Sequence, residues 1–355
     1  MTDVLLIAFS ALLAVASWLA LVDRRYVLAG PRPACLTATT VDGWRLAVWH
    51  RPAVNRRFLE PVVLCHGLAN NHAFFEFQAP QNLAQALSEA GFECYTVDLR
   101  GAGASQAPHE GPFNVSFDDH VQLDVPAIVD LVTAHAGSAK VMWVGHSLGG
   151  LLGLAASGST LAGRLVAMCT IGSPAFLHLP NRTKWLLAAA QWLSPWGAFN
   201  ARAVWPLAPL AGRVETSLAD GSANLNNLTP QTQRLLLATV LAPMWRGVLE
   251  QLEDWARHDV FRSREGVDYR EAIRALQVPT LVVGGTVDAL APERLTRALF
   301  ELVGAPTRVL AMFGKAYGQH EDYGHEDLVL GRHAHQDVYP VLIAFLAAQA
   351  TRLEP

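Results

Sequence analysis

A serine oxygen attacks a carbonyl carbon only where it is exposed, its flanks are small and a base can take its proton. One stretch of this chain meets the first two demands. Residues 141–150 read VMWVGHSLGG, in which β-branched and aromatic residues predict a strand, the glycine-flanked Ser147 a sharp turn, and the run from Gly150 a helix. At such a junction a G-x-S-x-G is a nucleophile elbow: Gly145 and Gly149 permit a tight backbone and keep bulk away from the serine. Ser147 is therefore the candidate nucleophile. The helix behind it turns its positive end and its unpaired N–H groups toward the place where negative charge would develop. The motif alone is common enough to arise by chance; the strand before it and the helix after it make it specific.

The chain must supply a scaffold for that elbow. Its 355 residues suit one large α/β domain with an insertion, or two domains, and can bury a sizeable core. Hydrophobic residues make up 51% and charged residues 16%, a balance that points toward a lipophilic surface or a membrane. The net charge of −4 is mild, and no basic run is interleaved with aromatics, which argues against a nucleic-acid partner.

The chain opens on an uncharged run over 4–22, as long as a bilayer core requires. It predicts a retained membrane anchor at 1–22 rather than a cleaved signal peptide, because Asp3 is the only early charge and the run exceeds a usual h-region. Arg24 and Arg25 follow, so the positive-inside rule places the rest in the cytoplasm. The alternatives are a secreted or periplasmic protein after cleavage, and a buried helix of the main domain. Cys65 and Cys94 fall in predicted buried strands and Cys35 and Cys169 have no obvious partners, so four free thiols in a reducing compartment are the simplest account.

After a linker marked by Pro31 and Pro33, alternating segments at 36–41 and 44–50 joined by Asp42-Gly43 predict a hairpin. Strands follow at 61–66, 92–98, 165–171, 280–285 and 307–313, with helices at 82–89, 118–134 and 336–350. That alternation predicts a mostly parallel sheet covered by helices on both faces. It breaks between 174 and 277, where helical stretches carry Trp185, Trp192, Trp196, Trp205, Trp245 and Trp255. We read a helical cap over 174–278 between two parts of an α/β core, 23–173 and 279–355. Its aromatics either form the cap's own core or line an apolar pocket or a lipid-facing surface. Beyond the cap, a carboxylate at one strand end and a histidine after the next strand complete the order serine, acid, histidine.

The pieces His66-Gly67-Leu68, Asp98-Leu99-Arg100-Gly101 with Gly103 and Ser105, the elbow, Gly284 to Asp288, and Tyr323-Gly324-His325-Glu326-Asp327-Leu328 stand in order at strand ends. In them the sequence resembles the α/β-hydrolase superfamily over nearly its whole length after residue 22, and most of all its acid-lipase-like and esterase branch with a helical cap. The resemblance implies a carboxylic ester hydrolase that needs no cofactor and no metal and forms an acyl-enzyme. His325 would be the general base, Asp288 would hold its tautomer and stabilise its imidazolium, and the backbone N–H groups of Leu68 and Leu148 would form the oxyanion hole. His66, His146, Trp185, Trp192 and Trp196 are the pocket candidates. A serine at the elbow argues against the dehalogenases and epoxide hydrolases of this fold, which use aspartate, and against the polyester synthases, which use cysteine. The apolar cap favours a lipophilic ester.

Three rival assignments accompany this one. His320, His325, His333 and His335 crowd beside Glu321, Asp322, Glu326 and Asp327 and could hold a divalent metal, although no zinc spacing appears. His320 could replace His325 as base. Asp327 reads as a carboxylate behind the histidine or a helix cap, and Asp98 as a partner of Arg100 or a turn cap. An acyltransferase with the same triad, or a non-catalytic membrane-attached binding protein, are the alternative functions.

Overall fold

The computed structural model describes residues 2–109, 113–178, 184, 189, 192, 197–213 and 223–354. Its strands, in chain order, are β1 (Ala34–Thr39), β2 (Arg45–Arg51), β3 (Val62–Cys65), β4 (Cys94–Val97), β5 (Val141–His146), β6 (Leu165–Ile171), β7 (Ala198–Phe199), β8 (Met244–Trp245), β9 (Thr280–Gly285) and β10 (Arg308–Phe313). Eight of them form one sheet in the order β1-β2-β4-β3-β5-β6-β9-β10. The predicted hairpin β1-β2 lies antiparallel at one edge, and β3, β4, β5, β6, β9 and β10 run parallel. Parallel strands need crossovers, and here helices supply most of them.

Side chains alternate across each strand, so the central strands feed two cores. Val63, Cys65, Val141 and Trp143 point into one, with the helices Val125–Ala136 and Leu148–Ala156. Val62, Leu64, Met142 and Val144 point into the other, with the helices Leu83–Glu89 and Tyr339–Gln349. Strands covered on both faces read as continuous apolar runs, which is why β3 and β5 are legible in the sequence. Cys65, Cys94 and Cys169 are buried as free thiols in β3, β4 and β6, and Cys35 is free and exposed.

Two predicted helices are subdivided. The segment expected at 118–134 starts as a short turn at Phe117–Asp119, capped by a reciprocal Ser116–Asp119 box, and widens into a π-turn at His120–Asp124 before Val125–Ala136. Within the widened turn Asp124 is fully buried and accepts from His120 Nδ1 at 2.7 Å and from Arg100 Nε at 2.7 Å. The closing helix is split into Ala334–Asp337 and Tyr339–Gln349, with Pro340 in the first turn of the second piece, where a missing N–H costs nothing.

The membrane anchor expected over 1–22 is not supported. Thr2–Arg25 is helical, but among the described residues no helix is long and apolar enough to cross a membrane. The end of this helix is engaged with protein instead: Trp18 Nε1 donates to the Pro206 carbonyl at 3.0 Å, and Val22 is buried. An indole donor satisfied by a backbone carbonyl ties the helix to the segment Ala201–Leu210.

Between β6 and β9 the described elements are mainly helical and include Ala201–Leu210, Pro230–Leu235, the π-turn Leu236–Val240, Arg246–His258 and Tyr269–Arg274. The antiparallel pair β7-β8, two residues each, was not expected; strands this short leave no alternation to read. The buried carboxylate of Asp118 fastens this segment to the core, accepting from Tyr269 Oη at 2.7 Å, Gln251 Nε2 at 3.0 Å and the Arg264 N–H at 2.8 Å.

Candidate active site

Ser147 joins β5 to the helix Leu148–Ala156 with φ +52° and ψ −117°. A positive φ on a residue with a side chain is strained, at a cost of about 1–3 kcal/mol. The surroundings impose it: the Ser147 N–H donates to the Ile171 carbonyl at 2.8 Å, and its own carbonyl accepts from Gly150 at 3.1 Å and Leu151 at 3.2 Å. The flanking glycines are sterically required. A Cβ on Gly145 would lie 2.3 Å from the Gly150 nitrogen, and one on Gly149 would lie 2.1 Å from the Cys65 carbonyl oxygen. The turn therefore leaves Ser147 half-buried while its neighbours are buried. Leu148 is the first helical residue, so its N–H has no intrahelical acceptor.

Two loops after β9 and β10 meet beside this turn. His325 Nδ1 donates to Asp288 Oδ2 at 2.8 Å, both residues being buried. The other oxygen, Oδ1, accepts from the N–H groups of Leu290 at 2.8 Å and Ala291 at 2.7 Å, which fixes the carboxylate's rotation. The loops are tied together by the Val287 N–H, which donates to the Tyr323 carbonyl at 3.0 Å. Burial disfavours the His325 imidazolium, but the charge and hydrogen bond of Asp288, with Glu326 and Asp327 behind, outweigh it and raise the His325 pKa above its ordinary value. Asp327 serves the backbone: it accepts from Gly324 at 3.0 Å, from Asn224 at 2.9 Å and from Asn227 Nδ2 at 3.0 Å, holding the residue before the histidine.

The loop after β3 closes the other side. A Cβ on Gly67 would stand 3.0 Å from Ser147 Cβ, so this backbone passes directly over the elbow. The Asn70 N–H donates to the Gly67 carbonyl at 3.3 Å, folding the loop back, and Ala69 sits at φ +62°. Its carbonyl accepts from the Ala242 N–H at 2.7 Å, and Asn71 Nδ2 donates to the Thr239 carbonyl at 2.9 Å. The segment between β6 and β9 thus holds the loop that carries Leu68. A cavity of about 20 Å³ borders Leu68, Leu148, Leu99, His120 and Trp245, enough for roughly one water.

The structure sets the Asp288–His325 pair against His146 of the elbow and the Gly67 backbone over Ser147, but redistributes the pocket candidates. His146 is buried behind the elbow: its Nε2 donates to the His325 carbonyl at 3.2 Å, and burial followed by the nearby His325 holds it well below the ordinary imidazole range. His66 is buried and borders the small cavity, with Nδ1 donating to the Gly67 carbonyl at 2.8 Å and Nε2 accepting from Leu99 at 3.3 Å. Burial lowers its pKa to about 4, so it is neutral. Trp192 stands at the surface, 83% exposed, rather than against a pocket. Trp185 and Trp196 lie outside the described residues.

Other expectations change too. Arg100 pairs with Asp124 and Asp42, not with Asp98. Asp98 accepts from the His72 N–H at 2.7 Å, His72 Nδ1 at 3.0 Å, Trp49 Nε1 at 2.9 Å and the Ala104 N–H at 2.9 Å, so only its turn-capping role holds. His320 is exposed, bonded to Asp337 at 2.7 Å and stacked on His333 at 4.6 Å. Among the described residues no three His, Cys, Asp or Glu side chains are grouped to hold a metal. Asn70 escapes the sequence reading, which names Glu326 only in the family motif and the candidate metal cluster and Trp245 only among the cap aromatics; Asn70 Nδ2 donates to Glu326, and Trp245 Nε1 donates to the Arg100 carbonyl at 2.8 Å with its ring packed over Gly101. Adjacency to His325 is the signal for a role of Glu326 beside the histidine; Asn70 carries no local signal.

A family model described as the alpha/beta hydrolase fold matches residues 60–331. The chain is 25% identical to mouse (Mus musculus) "Lipase member N" over 87% of its own length and 86% of that protein's. Among solved structures it resembles a soluble variant of monoglyceride lipase from Saccharomyces cerevisiae, with TM-score 0.62 and 17% identity over 92% of this chain and 99% of that one. It also resembles a thermophilic esterase from Thermogutta terrifontis, with TM-score 0.60 and 20% identity over 90% and 100%.

Proposed function

Because the chain belongs to the alpha/beta hydrolase fold family, we propose that it hydrolyses a lipophilic carboxylic ester through a Ser147–His325–Asp288 triad and an acyl-enzyme. The observation that carries the reading is the 2.8 Å bond from His325 Nδ1 to Asp288 Oδ2 beside a serine strained at φ +52°. With Nδ1 protonated toward Asp288, Nε2 is left as the acceptor for the serine proton. Ser147 Oγ attacks the ester carbonyl as its proton passes to His325 Nε2; the imidazolium then protonates the departing alkoxide, leaving the acyl group on Ser147. Water enters by the same base, and the carboxylate leaves. The N–H groups of Leu68 and Leu148 receive the oxyanion in both halves. Mouse Lipase member N, alike over most of both chains, supports a lipophilic ester as substrate. We place the cap at 174–278 and the two parts of the core at 23–173 and 279–355.

The test is fluorophosphonate labelling of wild type, Ser147→Ala and His325→Ala, followed by turnover of p-nitrophenyl esters of increasing chain length. Wild type labels and turns over longer esters; each variant loses about 10⁴-fold or more in kcat. Labelling that persists in Ser147→Ala, or its absence in a folded wild type, would overturn the triad. Product that forms only when an alcohol acceptor is added would identify an acyltransferase.

A further inference from the structure

We propose that Glu326 is a positioning residue which couples the loop bearing the general base to the loop bearing the oxyanion donor Leu68, through Asn70. The inference rests on the roles of Ser147, His325 and Leu68 argued above. Asn70 Nδ2 donates to Glu326 Oε2 at 3.3 Å, and this contact joins residues 256 positions apart. Glu326 directly follows His325; Asn70 closes the turn whose second residue is Leu68, its N–H bonding back to Gly67. A shift of Asn70 therefore moves the Leu68 N–H, and a shift of Glu326 moves His325. The Ala69 carbonyl is held independently by Ala242, so the turn has two anchors, one from each side.

The residue type adds a second argument. A neutral side chain would make the same tie without the cost of placing a carboxylate in a half-buried site. Among the described residues no cation forms an ion pair with Glu326; the ionisable groups that face it are His325, Asp288 and Asp327, and His146 packs on His325 from the elbow. Of those described groups, His325 is the one that becomes positive, as the imidazolium formed during attack. Burial holds the Glu326 carboxyl up to about 7, so it ionises in the range where the base must be neutral and then favours the imidazolium. This gives the tie an electrostatic role that an amide would lack.

Three variants test the coupling: Glu326→Leu, Glu326→Gln, and the swap Asn70→Asp with Glu326→Gln, which reverses donor and acceptor. Hydrogen exchange at the Asn70 and Ala242 amides reads the loop without requiring activity. In Glu326→Leu these amides exchange faster, kcat falls about 10- to 100-fold with KM within about threefold, and affinity for a trifluoromethyl ketone falls with kcat. The swap restores protection and most of kcat. Glu326→Gln keeps protection but moves the acid limb of kcat/KM to lower pH. Unchanged exchange in Glu326→Leu, a swap that restores nothing, or an unmoved limb in Glu326→Gln would overturn the proposal. A wild type that binds neither ketone nor fluorophosphonate would instead refute the triad, while the exchange data would still decide whether Glu326 holds the loop.

Discussion

His146 Nε2 donates to the backbone carbonyl of His325 at 3.2 Å, with the two rings 4.7 Å apart. The residue between Gly145 and Ser147 thus braces the loop that carries the proposed base. Because a carbonyl only accepts, Nε2 bears the proton and Nδ1 is left without a partner, a buried group that tolerates no positive charge. His146→Ala removes this brace and opens a cavity against Phe74. We expect a loss of about 2–4 kcal/mol in urea unfolding together with a lower kcat. An unchanged midpoint would show that the loop stands without it.

Asp288→Asn should damage catalysis far more than stability. Oδ1 is committed to two backbone donors, so the asparagine keeps its carbonyl there and turns its NH₂ toward His325. That forces Nδ1 to accept and moves the ring proton to Nε2, the tautomer unable to take the serine proton. A fall in kcat of about 10⁴ with KM little changed is expected; steady-state kinetics on a soluble ester would measure it.

The pH dependence follows from the raised His325 value. The base works neutral, so kcat/KM should rise with pH through a midpoint above about 6.5, the ordinary histidine value. For stability the sign is opposite: His325 contributes fully below that unfolded value, and the contribution is lost as pH rises through the higher folded one. Glu326, held up to about 7, behaves likewise, stabilising below its unfolded value of about 4.3 and losing that contribution as pH rises to 7. Melting curves from pH 5 to 8 should therefore slope downward less in Glu326→Gln than in wild type; equal slopes would contradict this.

Gly149→Ala should prevent the elbow from closing. Its Cβ would sit 2.1 Å from the Cys65 oxygen and 2.6 Å from the His66 oxygen, both backbone atoms of a central strand end, so neither yields cheaply. More than about 3 kcal/mol, or failure to fold, is expected. Gly163→Ala is the control: at φ +73° with nothing within 4 Å, it should cost only about 1–2 kcal/mol. Comparable losses in the two would mean that crowding at the elbow is not the cause.

The sequence alone determined the main strands of the sheet and the order of the residues proposed for the chemistry. Strands β3, β5, β6 and β9 are legible because double-sided burial writes continuous apolar runs. The elbow is legible because a serine at positive φ requires glycines on both sides within five residues. Ser147 could be named because it directly follows a strand, whereas Asp288 and His325, in the loops after β9 and β10, were named through the resemblance; a parallel sheet brings the loops at its strand ends to one edge. The tertiary structure decided what depends on side-chain direction. It turned His146 inward although it lies beside the nucleophile, sent Trp192 outward and gave Asp98 to His72 rather than Arg100. It also tied the first helix to Pro206 through Trp18, with Val22 buried, while Leu12, Leu13, Val15 and Leu21 stay exposed. The Asn70–Glu326 tie belongs to the same class, since no local pattern encodes a contact between residues 256 apart; only packing the loop after β3 against the loop after β10 creates it.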